Sequence, residues 1–202
     1  MISYFYLFLI VLLVILVYQE SELCSHTLRF RPPYTAPLPS SMVKTIQRHL
    51  QVIPNLSSYT LIDLGCGEGH MLQELYPLVK RAIGVETEKR QANETQIRFL
   101  SNRSIHIYHK DLVQYSFEDQ PTVVYLYEPL WKSESAKESY ETIVSKLQQL
   151  SSPVYIVYLS GLTKKELSSD FFKAHQFSVL HSESFPRALL WNQQLYIIGK
   201  SA

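Results

Sequence analysis

The sequence predicts an α/β fold, a doubly wound and mostly parallel seven-stranded sheet with one antiparallel strand, and three observations predict it. From Leu61 onward, short apolar runs of strand length alternate with amphipathic segments of helical period. That alternation is the pattern of parallel strands joined by crossover helices that cover both sheet faces. The run Leu61-Ile62-Asp63-Leu64 enters glycines at every second position, Gly65, Gly67 and Gly69, and so reads as a buried strand ending in a tight loop without side chains. The last two strands, Phe177 to His181 and Gln194 to Ile198, follow each other without a helix between them, which puts one antiparallel strand in the sheet. A ligand loop at a strand's C-terminal end in such a sheet is a Rossmann-like layout.

The first element of the chain is apolar. Ile2 to Tyr18 carries no charge and is almost wholly Leu, Ile, Val, Phe and Tyr, about the minimum length for a transmembrane helix. No basic stretch precedes it, and Gln19-Glu20-Ser21-Glu22 lacks the small residues of a cleavage site. An uncleaved anchor over 1–19 is therefore preferred to a signal peptide. The nearest basic residues, Arg29 and Arg31, follow it, which orients a single-pass membrane protein with its domain on the cytoplasmic side. Residues 20–40 form a linker in which Pro32, Pro33, Pro37 and Pro39 fix φ and exclude helix. The domain proper is 41–202. Glycosylation acceptor patterns at Asn55, Asn93 and Asn102 matter only on a lumenal side and are read as background.

Ser40 and Ser41 can cap a helix whose Val43, Ile46 and Leu50 share a face. After the glycine loop, Met71, Leu72, Leu75 and Val79 make an amphipathic helix that Pro77 helps to stop. Ala82 to Glu86 is the second strand, Glu88 to Arg98 a polar helix, Ile105 to His109 the third strand, and Pro121 to Tyr127 the fourth. A capping box from Ser135 to Glu138 opens a long helix, and Val154 to Leu159 is a continuous apolar strand covered on both faces. A second capping box, Thr163 to Glu166, opens a helix to about His175.

Charge and chemistry-bearing residues narrow the function. With 19 Lys and Arg against 18 Asp and Glu the net charge is +1, and no basic stripe appears. Phosphate binding needs clustered cations, so no nucleic-acid partner is expected. The two cysteines, Cys24 and Cys66, imply no disulfide framework. The seven histidines are scattered, with His106 and His109 on a strand, so no metal is expected.

The glycine loop and a carboxylate about twenty residues on, Glu86, make a ribose-binding arrangement, because one carboxylate can accept from both ribose hydroxyls. A dinucleotide site wants G-x-G-x-x-G, whereas the spacing here is G-x-G-x-G, which disfavours a nicotinamide cofactor. With Asp63 two residues ahead of Gly65, the stretch resembles motif I of the class I S-adenosylmethionine-dependent methyltransferases. The resemblance spans roughly Ser40 to Lys200. It implies S-adenosyl-L-methionine as cofactor, held by Asp63, Gly65, Cys66, Gly67, Gly69 and Glu86, with Asp111 accepting from the adenine amino group and Leu112 beside it. Asp111 read from its own context is equally a turn or cap residue.

The same resemblance places the methyl acceptor at Glu128-Pro129-Leu130-Trp131. Amino-group methyltransferases of this superfamily commonly carry Asp, Asn or Ser, then Pro-Pro, then an aromatic. Here Pro129 and Trp131 match, while Glu128 and Leu130 depart. Glu128, Pro129 and Trp131 are the catalytic candidates and an amine the expected acceptor, because a carboxylate plus a rigid carbonyl can aim a nitrogen lone pair. A short apolar anchor and a Pro-Tyr...Pro linker before the domain also resemble, more loosely, the small membrane-anchored protein-lysine methyltransferases, which suggests a protein lysine as the acceptor. The alternative is a non-catalytic, cofactor-binding membrane adaptor whose departed turn has lost its chemistry.

Overall fold

The computed structural model describes residues 38–127, 136–160, 167–187 and 191–200, all within one compact unit, Pro37–Ala202. The apolar stretch Ile2 to Tyr18, on which the anchor and its cytoplasmic orientation rest, lies outside the described residues, as do the linker up to Pro37 and the turn from Glu128 to Trp131. Among the described residues, no helix is long and apolar enough to cross a membrane.

Seven strands form one sheet in the order β3-β2-β1-β4-β5-β7-β6. They are β1 (Thr60–Leu64), β2 (Arg81–Glu86), β3 (Ile105–His109), β4 (Thr122–Tyr127), β5 (Val154–Leu159), β6 (Phe177–Arg187) and β7 (Trp191–Lys200). β1 pairs in parallel with both β2 and β4. β7 runs antiparallel to β5 and to β6, which makes it the one reversed strand. The chain leaves β1 toward β2 on one side and later returns to β4 on the other. That reversal opens a crevice at the C-terminal ends of β1 and β4, where open α/β sheets bind ligands.

Alternating side chains feed two cores, because successive strand residues point to opposite faces. On one face Leu61, Val123, Val157 and Ile197 pack with Ile46 and Leu50 of α1 (Ser40–Leu50) and Leu72 and Leu75 of α2 (His70–Leu75). On the other, Ile62, Val124, Ile156 and Ile198 pack with Tyr140, Ile143 and Leu147 of α4 (Ala136–Gln148) and Phe172 of α5 (Ser169–Ala174). Every residue of β1 is buried as a result, the expected state of a strand covered on both faces. The polar helix α3 (Lys89–Arg98) buries only Ala92 and Thr95.

Local details differ from expectation at four places. Pro39 is the N-cap of α1 with no side-chain cap bond, so Ser40 and Ser41 sit inside the first turn. α2 ends at Leu75 and passes into a 3-10 turn, Tyr76–Leu78, because Pro77 lacks the N–H a longer α-helix needs. The helix expected from Thr163 begins only at Ser169, where Ser168 accepts from the Phe171 N–H at 3.3 Å; Thr163 to Glu166 lie outside the described residues. β6 and β7 extend past the expected ends, with Pro186 opposite Asn192. Proline is tolerated there because β6 is the outer strand of the sheet.

Candidate active site

The loop after β1 is built almost wholly from backbone. Gly65, Gly67 and Gly69 have φ of 83°, 51° and 77°, a region costly for residues with a Cβ. The N–H groups of Gly65 and Cys66 both donate to the Val85 carbonyl, at 2.8 and 3.1 Å. Those bonds tie the loop to the end of β2 and bring it beside Glu86. Gly69 is glycine for packing: a Cβ there would meet the Phe99 ring at 2.5 Å and Thr95 at 2.9 Å. Its loop is thus seated directly on α3.

Glu86 is positioned by the loop it serves. One carboxylate oxygen accepts from the Gly67 N–H at 2.9 Å, the other from the Glu88 N–H at 2.8 Å. A carboxylate oxygen has two lone-pair directions, so each keeps one for a ligand hydroxyl. Thr95 closes the arrangement by donating its hydroxyl to the Gly67 carbonyl at 2.6 Å. Glycine loop, strand-end carboxylate and switch point therefore converge on one place, and the residues fit the ribose and amino-acid portions of S-adenosyl-L-methionine.

Asp63 lies buried in β1, and burial, then the Glu86 carboxylate, push its carboxyl up to about 8. A folded-state value above the unfolded one means that stability is full below pH 3.8 and falls as pH rises toward 8. Asp63→Asn should remove that loss. Measured by denaturant unfolding between pH 5 and 8, the wild-type protein should fall relative to the variant by up to about 1.4 kcal/mol per pH unit. Parallel curves would show that Asp63 ionises normally.

The remaining expected site residues separate into two groups. Cys66 turns its sulfur inward, where a Cβ on Gly84 would meet it at 2.7 Å, and burial pushes the thiol well up. Its backbone holds the loop together, the N–H donating to the Val85 carbonyl and the carbonyl accepting from the Gly69 N–H at 2.8 Å. Asp111 caps the turn after β3, one of its oxygens accepting from Val113 and Gln114 N–H at 2.8 and 3.1 Å. Leu112 is buried in the core beside that turn. Glu128, Pro129 and Trp131 lie outside the described residues. They follow β4, whose Leu126 pairs with Leu64, so β4 ends beside the start of the glycine loop.

Two features escaped the sequence reading. Gly84 admits Cys66, Ile107 and Leu72 within 2.8 Å of where its Cβ would stand; a lone glycine inside an apolar strand was the available signal. A cavity of about 260 Å³ also opens between α1 and α2, lined by Val43, Lys44, Gln47, His70, Met71 and Glu74. Gln47 bridges its helices by donating to the Glu74 carbonyl at 2.9 Å, and His70 follows the glycine loop directly. No motif marks those residues, because the cavity exists only once two helices pack.

Comparison with known proteins agrees with this geometry. The sequence model of one family, ribosomal RNA adenine dimethylase, matches residues 40–194. No curated protein sequence matches significantly. Among solved structures, a SAM-dependent methyltransferase of Leishmania major is 13% identical with a TM-score of 0.65, covering 77% of this chain and 70% of its own. The N-methyltransferase NodS of Bradyrhizobium japonicum is 15% identical with a TM-score of 0.62, covering 78% and 97%. The 23S rRNA methyltransferase ErmE is 14% identical with a TM-score of 0.57, covering 79% and 68%. At these identities the likeness is one of fold.

The family match overturns the expectation that nucleic acid plays no part, since the family is named for an enzyme of ribosomal RNA. Near-neutral net charge was the wrong observable. Enzymes that modify a base grip it by stacking and by hydrogen bonds to its edge, which need a shaped pocket and local cations, whereas net charge averages over the whole chain. The match brings no support for the membrane as a partner either.

Proposed function

From the premise that the chain belongs to the ribosomal RNA adenine dimethylase family and is an S-adenosylmethionine-dependent methyltransferase, we propose that it methylates a nitrogen, the exocyclic amine of adenine in RNA. The observation that carries the cofactor part is the Gly67–Glu86 bond, which fixes a carboxylate and a bare backbone loop at the switch point of the sheet. The family match supports the acceptor part. S-adenosyl-L-methionine supplies a methyl group already activated as a sulfonium. The protein's contribution is then alignment and exclusion of water, by Gly65, Gly67 and Glu86 at the cofactor and by Glu128, Pro129 and Trp131 at the nitrogen. In this reading Glu128 accepts from the amine N–H and aims its lone pair, the Pro129 ring restrains the Glu128 carbonyl, and Trp131 stacks on the base.

The second reading is a protein lysine, favoured by the apolar N-terminal stretch and proline-rich linker. The two acceptors differ in proton chemistry. A lysine must lose a proton before it can attack, and a carboxylate beside it opposes that loss. An adenine amine is uncharged throughout the neutral range. Incubating the full chain with labelled S-adenosylmethionine, ribosomal RNA and membrane protein should place label in RNA, recovered as N-methylated adenosine after digestion. The rate should be flat between pH 7 and 9, and Glu128→Ala should lose more activity than Glu128→Gln. Label in protein with a rate rising through that range would establish the lysine reading. Equal, full activity of both variants would remove Glu128 from the site.

A further inference from the structure

His49, near the end of α1, meets His181 and Glu183 of the outer strand β6, the latter 134 positions away in the chain. We propose that these three side chains form a site for a divalent transition-metal ion of the zinc class, clasping α1 to the sheet edge. Nothing in the S-adenosylmethionine reading requires such a site.

The donors converge on one point. The Nε2 atoms of His49 and His181 lie 2.7 and 3.5 Å from the same Glu183 carboxylate oxygen. One ligand atom from each of the three residues falls within 4.8 Å of the others. Zinc bound at 2.0–2.2 Å in tetrahedral geometry holds its donors roughly 3.3 Å apart, a spacing near that of the three donor atoms here, and the two rings must swing out of their stack to aim both nitrogens at the ion. The imidazole rings stack with centroids 3.5 Å apart and planes at 26°. Imidazole is the commonest protein ligand for zinc, through either ring nitrogen. Three protein ligands leave a fourth corner to water.

Two independent features aim the groups inward. His181 Nε2 is buried without a hydrogen bond, since its approach to Glu183 lacks bonding geometry. A β-bulge also falls between Val179 and His181. Val179 pairs with Ile198 and packs on the α4 side, whereas His181 and Glu183 pair with Ile197 and Leu195, which pack on the α1 side. Without the extra residue, Leu180, strand alternation would turn Val179 and His181 to the same face. The bulge is what re-aims His181 at His49. Arg48, at 3.8 Å from Glu183, opposes a cation, but its side chain is 67% exposed and can turn to water.

The donor set, two imidazoles and one carboxylate without thiolate, suits zinc, cobalt or nickel over calcium or magnesium. The test is titration of the full chain, stripped with chelator, with cobalt(II) read by visible absorption and with zinc(II) in competition. One equivalent should bind with the spectrum of a nitrogen and oxygen site, and zinc should raise the melting temperature. His181→Gln and Glu183→Gln, at positions whose side chains are 33% and 34% exposed, should bind at least tenfold more weakly and lose the zinc-dependent shift. If the wild-type protein takes up no saturable equivalent, or the variants bind as tightly, the clasp is only a hydrogen-bonded contact. A spectrum dominated by sulfur-to-metal charge transfer would assign the metal to cysteine and equally overturn the proposal. The wild-type titration decides the matter even if a variant fails to fold.

Discussion

Glu86→Ala is expected to weaken S-adenosylmethionine binding by about 10- to 150-fold, because hydrogen bonds to a charged group contribute about 1.5–3 kcal/mol. The geometry adds a second route to that loss. The same carboxylate accepts from the Gly67 and Glu88 N–H groups, so its removal also frees the Gly67 end of the loop, while the Gly65 and Cys66 bonds to Val85 remain. The two routes can be separated with a cofactor analogue lacking the ribose hydroxyls. If Glu86 contacts ribose, the analogue should bind the wild-type protein poorly and Glu86→Ala no worse than the natural cofactor, the signature of a coupled pair. Glu86→Gln keeps one acceptor but turns an amide N–H toward a backbone N–H, so it should rescue little. Calorimetry measures the affinities. Undiminished binding by Glu86→Ala would put the ribose elsewhere.

Most of what positions this site was legible before the fold was seen, for a physical reason. A parallel sheet buried on both faces requires continuous apolar runs, and Leu61 to Leu64 and Val154 to Leu159 are such runs. The third strand, Ile105–His109, has the expected bounds although it lies at the edge and is largely exposed. Its Ile-His-Ile-Tyr-His alternation carries the signal instead. Glycine at every second position is equally readable, since a left-handed backbone narrows the choice of residue. Illegible were features that depend on contacts distant in sequence. The meeting of His49 with Glu183 depends on how α1 lies across the sheet and on one bulge, and neither leaves a spacing pattern. The inward turn of Cys66 depends on Gly84 in the neighbouring strand. Helix ends were less legible: the N-cap of α5 is Ser168, which no S/T-x-x-E pattern marks, while Thr163 to Glu166 lie outside the described residues. The expectation that nucleic acid plays no part was the largest error. It rested on net charge and on the absence of a basic stripe along the sequence, whereas cations that meet RNA can be brought together by the fold from distant positions.

Gly67→Val is expected to abolish cofactor binding while leaving the sheet folded, the largest single effect at this site. Gly67 has φ of 51°, where a β-branched residue is strongly disfavoured. Valine must therefore either hold a strained backbone, at about 1–2 kcal/mol or more, or rotate to negative φ. Rotation would swing the Gly67 N–H away from Glu86 and its carbonyl away from Thr95, undoing the 2.9 and 2.6 Å bonds that shape the loop. Even without rotation, a Cβ and two methyl groups would be added to a loop whose bare backbone is read as the cofactor's seat. Gly67→Asn separates the two causes, since asparagine tolerates left-handed φ yet still carries a Cβ. If conformation is the main requirement, the asparagine variant should recover most of the binding; if close approach is, it should bind nearly as poorly as valine. Far-ultraviolet circular dichroism should show the same fold in all three proteins, because Gly67 lies outside both cores. A thermal shift with S-adenosylmethionine equal to that of the wild-type protein in Gly67→Val would show that the cofactor does not lie against this loop.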